Sequence, residues 1–311
     1  MNITDEKLMS HRIKFYILIV LQISAILHSL LIILFFFTHR IQLKNLQHQG
    51  TLLLLIVSFF QLTICLPMPI HFYYRNQVVP ATVSYCTWWN YIEFSFNLAN
   101  ELLVATLSIQ RHILIFQSHF LNNRFKRYIL HFIPLSICIV YPFVVYLFIV
   151  VMYTCDGTQW DYTANACGYS SCYIIYSDVL TTFDLLGHNA LPILIIILAN
   201  ITLILRVISE KYRRHRPIHW KQHARMSLQL LAISSVYLIS WLPTIIIIVT
   251  SKLTSADLFG NFGPDYGFDM VYGVPLFVPW VYFGLLSECR KWLRNLCSKE
   301  RTRQTTVRPI Q

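Results

Sequence analysis

Long apolar runs constrain this sequence of 311 residues more than any other feature. They cover residues 15–37, 51–72, 88–116, 129–151, 185–208, 226–250 and 268–286. As an α-helix, which rises about 1.5 Å per residue, each run is long enough to cross the roughly 30 Å hydrocarbon core of a bilayer. Backbone polar groups in lipid must be satisfied within the segment, so each run is expected to be helical. The sequence therefore predicts an all-α membrane protein with a bundle of seven transmembrane helices.

The charged residues give this bundle an orientation. Only 13% of the residues are charged, whereas a soluble domain carries about 25%. If the N-terminus is outside, most Lys and Arg residues lie in inner segments, as the positive-inside rule requires. The basic residues left on the outer side are Lys7, Arg12, Lys14, Arg75 and Lys252. We therefore expect a multi-pass plasma-membrane protein with an extracellular N-terminus and a cytoplasmic C-terminus.

The net charge of +11 could also suggest a nucleic-acid partner. However, the basic segments alternate with apolar runs, which favours a lipid bilayer and argues against nucleic acid. On this pattern the chain divides into an extracellular N-terminus (1–14), a transmembrane domain (15–287) and a cytoplasmic tail (288–311). The tail starts with a basic and aromatic stretch that suits a short amphipathic eighth helix.

Two modification sites are predicted at the ends of the chain. Asn2 begins a glycosylation sequon on the predicted outer side. Cys297 follows the amphipathic stretch on the inner side and is a candidate for palmitoylation, with an unmodified thiol as the alternative.

Four cysteines fall on the predicted outer side. Cys86 opens the third predicted helix, while Cys155, Cys167 and Cys172 lie in the loop before the fifth. The outer compartment is oxidising, and four cysteines allow three pairings. A bridge from Cys86 to Cys167 or Cys172 would hold this loop over the bundle; free thiols are the alternative.

Several short motifs occur in the order typical of rhodopsin-like G-protein-coupled receptors. Arg111 stands at the family's distance from Cys86, and residues 110–112 read Gln-Arg-His where the family has Asp-Arg-Tyr. Residues 240–243 (Ser-Trp-Leu-Pro) resemble the sixth-helix Cys-Trp-x-Pro, and residues 278–282 (Val-Pro-Trp-Val-Tyr) resemble the seventh-helix Asn-Pro-x-x-Tyr. Together with the proline of the fifth run, they make the chain similar to this family along nearly its whole length.

The resemblance implies a receptor that binds an extracellular ligand and activates a heterotrimeric G protein through movement of the sixth helix. It assigns coupling and switch roles to Gln110, Arg111, Tyr237, Pro243, Pro279 and Tyr282. The departures from the family suggest a divergent branch, similar in kind to neuropeptide receptors. Gln110 has no charge to restrain Arg111, which predicts elevated basal signalling.

The family's sodium site is also altered. Gln61, Asn100 and Val278 stand where the resemblance places its polar residues, and none of them is a carboxylate. We therefore expect no modulation by sodium.

Ionisable residues inside the predicted spans indicate where a ligand binds, because they are costly in a membrane and usually functional. Helical spacing puts Glu93 with Glu101 on one face of the third run and Asp184 with His188 on one face of the fifth. The resemblance adds Trp241 at the floor of the pocket. The full set of expected ligand contacts is Glu93, Asn97, Asp184, His188, Trp241, Asp269 and Tyr272.

The acids in this set suit a cationic amine or a basic peptide. Acidic and aromatic residues in the loop between Cys155 and Cys172 slightly favour the peptide. Mutual pairing of the buried groups, for example Glu93 with His188, is the structural alternative.

Other classes of function find less support in the sequence. It contains no nucleotide-binding, metalloprotease or nucleophile-elbow motif, so we expect no enzyme, no metal and no cofactor. A seven-helix transporter or channel that uses the intramembrane carboxylates remains the alternative.

Overall fold

The computed structural model describes residues 3–41, 46–116, 123–213, 220–254, 268–286 and 288–295. In these residues the chain is α-helical and has no β-strand, which confirms the all-α class for this part of the protein. Asn2 and Cys297 lie outside the described residues.

The helices are numbered here in chain order. They are α1 (Ile3–Thr38), α2 (46–75), α3 (Val83–Phe116), α4 (124–152), α5 (178–213), α6 (Trp220–Thr254), α7 (268–285) and the short α8 (Glu288–Asn295). Several of them join shorter stretches: Leu46–Phe60, Gln61–Cys65 and Pro67–Arg75 in α2; Arg124–Arg127, Tyr128–Phe132, Ile133–Tyr146 and Leu147–Met152 in α4; Asp178–Phe183, Asp184–Ala190 and Leu191–Arg213 in α5; Phe268–Val271 and Gly273–Leu285 in α7.

Length and composition mark several of these helices as able to cross a membrane. Among the described residues, five stretches meet both conditions: Lys7–Thr38, His48–Arg75, Arg124–Met152, Asp178–Arg206 and Leu231–Thr250. Asp269–Leu285 joins them if it is counted together with α8, from which it is bent by 77°. This helix content is that of a multi-pass membrane protein.

Helix α3 is not among these stretches, although it is one of the longest helices. Polar residues such as Glu93, Asn97 and Glu101 interrupt its apolar sequence. The total of seven spans therefore stays a prediction.

The packing explains why α3 tolerates these polar residues. It lies at the centre of the bundle and packs against α2, α4, α5 and α6, while α7 packs against α1, α2 and α6. Glu93 and Glu101 are each only 1% exposed. In contrast, large apolar side chains such as Val20, Leu27 and Val140 are exposed on the outer surface of the bundle. An apolar exterior around a partly polar interior is the arrangement expected where lipid is the solvent.

A wide π turn in α2 follows from its prolines. Pro67 has no N–H and its ring clashes with the preceding turn of an α-helix. The π turn Gln61–Cys65 comes immediately before it, and Pro67 then opens a new α-helical stretch. Gln22 of α1 donates a hydrogen bond of 2.7 Å to the Leu62 carbonyl within this turn. A side chain of α1 thus satisfies the backbone where the helix is widened.

Helix α1 begins well before the apolar run that predicted it. Residues 3–14, expected as an N-terminal segment ahead of the first span, continue α1 as a helix from Ile3. His11 forms a hydrogen bond of 2.8 Å with the side chain of Asn76, just after the end of α2. This polar part of α1 is therefore attached to the bundle.

Candidate functional site

Two disulfide bonds hold the loop between α4 and α5 over one end of α3. Cys86 is bonded to Cys167, and Cys155 is bonded to Cys172. Of the two partners considered for Cys86, the structure has Cys167, because Cys172 is used within the loop. Asn90, one turn after Cys86, donates to the carbonyls of Cys86 and Ala166, both at 3.0 Å. The even number of outer cysteines was the sequence signal for the second bond.

A cavity of about 320 Å³ lies beneath this loop, between α3, α5 and α6. Most of the side chains that line the cavity are apolar or aromatic, and Trp241 of α6 is among these lining residues. Its size is at the lower end of the range for small-molecule sites, which is about 300–1,000 Å³. Four of the expected ligand contacts line it together: Glu93, Asn97, Asp184 and Trp241.

Glu93 is the most deeply buried acid of this cavity. The indole N–H of Trp89 donates to Glu93 Oε2 at 2.7 Å, and the hydroxyl of Tyr272 on α7 lies beside the same carboxyl group. Tyr272 thus contacts Glu93 but does not line the cavity itself. Trp89 and Glu93 have i, i+4 spacing, so this pair was readable from the sequence, although it was missed there.

Tyr169 of the loop extends this connection. Its hydroxyl lies 3.4 Å from that of Tyr272. Burial, and then the charge of Glu93, raise the pKa of Tyr169 well above its usual range. Its hydroxyl therefore stays protonated and available as a donor at physiological pH.

Asp184 of α5 accepts hydrogen bonds from three side chains. Tyr146 of α4 donates at 2.8 Å, Tyr173 of the loop at 2.9 Å, and His188 Nδ1 lies at 2.7 Å. His188 Nε2 is in turn 2.8 Å from the hydroxyl of Tyr141. His188 therefore holds the Asp184 carboxyl group by a hydrogen bond, and it is not among the residues that line the cavity. The pairing considered between Glu93 and His188 is not found; each binds other groups.

Tyr146 and Tyr173 were not expected at the site. The pKa of Tyr173, which lies in the loop, is raised first by burial and then by Asp184, so it remains a donor. Neither tyrosine carries a motif: the packing of α4 brings Tyr146 to Asp184, and the folded loop brings Tyr173.

Asp269 belongs to a separate cluster. Lys14 of α1 forms a salt bridge of 2.7 Å with it, and the hydroxyl of Tyr73 on α2 donates to it. Asn165 of the loop also donates to it, at 3.4 Å. Asp269 does not line the cavity; it connects the start of α7 to α1, α2 and the loop.

A cluster of neutral polar groups lies deeper, between α2 and α3. Gln61 donates to the Asn97 side chain at 2.6 Å and accepts from Asn100 at 2.6 Å. Ser58 donates to Asn100 at 3.2 Å. These amide side chains form hydrogen bonds with one another, at the position where the family resemblance places a sodium site.

The opposite end of α3 carries the expected switch residues. Arg111 is 1% exposed. Gln110 binds α4 through the ring of His131 at 2.9 Å and the carbonyl of Leu130 at 3.0 Å. It therefore connects α3 to α4.

The switch residues of α6 and α7 are also inside the bundle. Tyr282 of α7 contacts the hydroxyl of Thr51 on α2 at 3.0 Å. Tyr237 is buried in α6, and Pro243 and Pro279 lie inside α6 and α7. The expected switch residues therefore lie on three different helices, α3, α6 and α7.

Comparison with known proteins adds no assignment: no model of a protein family matches the chain, and no curated protein matches it. The fold and site themselves define the class. The described residues form an all-α structure whose helices suit a multi-pass membrane protein. A mostly apolar cavity, with Glu93 and Asp184 among its lining residues, lies under a disulfide-bonded loop.

Proposed function

We propose that this chain is a G-protein-coupled receptor of the rhodopsin-like type. The observation that carries the proposal is the arrangement along α3. Glu93 lines a ligand-sized cavity, and Arg111 is buried near the other end of the same helix. Arg111 follows Glu93 by 18 positions, which corresponds to about 27 Å of helix. A single rigid element thus joins an outer binding cavity to the end that would meet a G protein.

Helix α6 supplies the moving part in this proposal. Trp241 lines the cavity, and Pro243 lies two residues further along. Pro243 has no N–H to bond the carbonyl of Ile239, which weakens the helix at this point. A ligand that displaces Trp241 would therefore bend α6 at Pro243 and move its inner end.

The proposed topology has α3 and α7 as further membrane spans, which completes a set of seven. The excess of Lys and Arg in the segments predicted to be inside supports an extracellular N-terminus in the plasma membrane. In this topology the two disulfides lie on the oxidising side.

The proposed ligand is a cationic amine or peptide, with the peptide slightly favoured. Glu93 and Asp184 supply negative charge, and Tyr146, Tyr169 and Trp241 supply aromatic surfaces that bind cations well. A cavity of about 320 Å³ accepts an amine or the terminal side chains of a peptide, whose remaining residues would lie on the loop.

The experiment is a screen of amines and amidated peptides on cells that express the chain with a promiscuous G protein. Glu93→Gln should abolish the response to an active ligand, while surface expression is preserved. Asp178→Asn is the matched control, because Asp178 is exposed at the start of α5 and does not line the cavity. An unchanged response of Glu93→Gln would remove Glu93 from the binding site.

A transporter or channel is the second candidate, and one observation favours it. The carboxyl group of Glu101 is buried inside α3, and its Oε1 has no hydrogen-bond partner among the described residues. Such a group could pass protons or ions. Currents or uptake that disappear in Glu101→Gln, without any G-protein response in the screen, would support this candidate and contradict the receptor.

A further inference from the structure

A groove at the junction of α7 and α8 combines basic and apolar side chains. It is lined by Phe283 of α7 and by Arg290, Leu293 and Arg294 of α8, and it encloses about 380 Å³. We call it the α7–α8 groove. Its position at the end of a membrane-type helix sets it at the level where lipid headgroups lie.

The packing of α8 fixes which side chains face this groove. Cys289 is fully buried, and burial raises the pKa of its thiol to about 11. The Trp292 ring packs against Phe35 of α1, with ring centroids 5.7 Å apart. With this side of α8 held against the bundle, Arg290 and Arg294, one turn apart, both line the groove. Lys291 is exposed on the same helix but does not line it.

The two arginines give the groove a positive charge, which favours an anionic ligand. In the described part of the chain, no ion pair is recorded for Arg290 or Arg294. Two guanidinium groups on one side of a helix can bind the oxygens of one phosphate through parallel N–H donors.

The apolar part of the groove continues towards the bilayer. Phe283 packs on His28 of α1 with ring centroids 5.0 Å apart, and Trp280 lies 4.0 Å from the same ring. Trp280 is 42% exposed. This aromatic surface between α1 and α7 offers a path for an acyl chain that starts at the two arginines.

We propose that the α7–α8 groove binds the phosphate headgroup of an anionic phospholipid of the inner leaflet. Arg290 and Arg294 bind the phosphate, and the acyl chain lies along Phe283 and Trp280. The proposal depends on the membrane placement of α8. It does not depend on the extracellular ligand or on G-protein coupling, so its failure and theirs are distinguishable.

The test uses the full chain in phosphatidylcholine nanodiscs, titrated with a fluorescent phosphatidylinositol phosphate. The double variant Arg290→Gln/Arg294→Gln should weaken binding by clearly more than about 30-fold, which is the loss that two basic residues near a membrane cause by diffuse attraction alone. Lys291→Gln is the control for each single arginine, because it removes one positive charge from the same helix outside the groove. It should weaken binding by no more than about fivefold, which is the diffuse contribution of one basic residue.

Two further measurements distinguish binding by paired guanidinium donors from simple charge attraction, and a lipid ligand from free phosphate. Replacing both arginines by lysine keeps the charge but removes the paired donors, and an intermediate affinity is expected. If the loss per removed charge is the same in the double glutamine variant and in Lys291→Gln, the attraction is a diffuse surface effect and the proposal is overturned. Competition by soluble inositol phosphate that is as strong as that of the lipid would show a site for free phosphate and would overturn the role of the acyl chain.

Discussion

Glu101 gives the sharpest test of how much a buried polar group without a hydrogen-bond partner lowers the stability of this bundle. Its side chain is 1% exposed in the middle of α3, and Oε1 has no hydrogen-bond partner among the described residues. A buried polar group without a partner costs about 1–3 kcal/mol. Methionine has a similar volume and no such requirement. Glu101→Met should therefore stabilise the protein by about 1–3 kcal/mol, which raises the midpoint of thermal unfolding by roughly 2–4 °C per kcal/mol.

The unfolding can be followed in detergent with a thiol-reactive dye, because Cys65 and Cys138 are free and buried. Glu93→Met is the contrasting variant. Glu93 is equally buried, but it accepts a hydrogen bond from the indole N–H of Trp89, so its loss leaves a buried donor without its acceptor. This variant should lower the midpoint.

Tyr237 extends the test to the helix that faces α3. Its hydroxyl is buried and also has no hydrogen-bond partner in the described residues. Tyr237→Phe should be neutral or stabilising for the same reason. If Glu101→Met and Tyr237→Phe lower the midpoint as much as Glu93→Met does, both groups have partners and the reasoning is refuted.

Three further predictions concern the proposed receptor. Gln110→Glu should lower basal G-protein activation at equal surface expression, because an acid can then restrain Arg111; unchanged basal activity would argue against that restraint. Replacing sodium by choline should leave ligand affinity unchanged in radioligand competition, because the cluster around Gln61 consists of neutral amides; a clear shift would contradict this. Cys86→Ser should reduce surface expression and the ligand response, measured on intact cells, because it releases the loop from α3; full retention of both would show that the loop holds its place without this bond.

The apolar runs predicted where long helices lie but not their internal hydrogen bonding. The widened turns, such as Gln61–Cys65 in α2 and Asp184–Ala190 in α5, have no signature in hydropathy, because that index carries no information on backbone hydrogen bonds. Helix α1 starts before its apolar run for a related reason. Residues 3–14 are polar, yet a helix needs no apolar sequence where it packs against a neighbour through polar side chains such as His11.

The site was predicted in part, and the limit is physical. Helical spacing indicates which residues share a face, and it correctly placed Glu93 and Asn97 together on α3. It does not indicate which neighbour that face meets. His188 follows Asp184 by one turn, but it faces Tyr141 of α4 and not the cavity. Asp269 lies near the outer end of α7, but Lys14 of α1 takes up its charge.

Three acids near the loop between α4 and α5 share a role that the sequence alone did not reveal. Glu93 joins α3 to α7, and Asp184 joins α5 to α4 and the loop. Asp269 joins α7 to α1 and α2. Each carboxyl group is therefore an acceptor that holds separate elements together. A cationic ligand in the cavity would have to compete with Tyr272 for Glu93. Binding would then loosen the contact between α3 and α7. The carboxyl group of Glu93 would therefore both bind the cationic ligand and couple its binding to a change in helix packing.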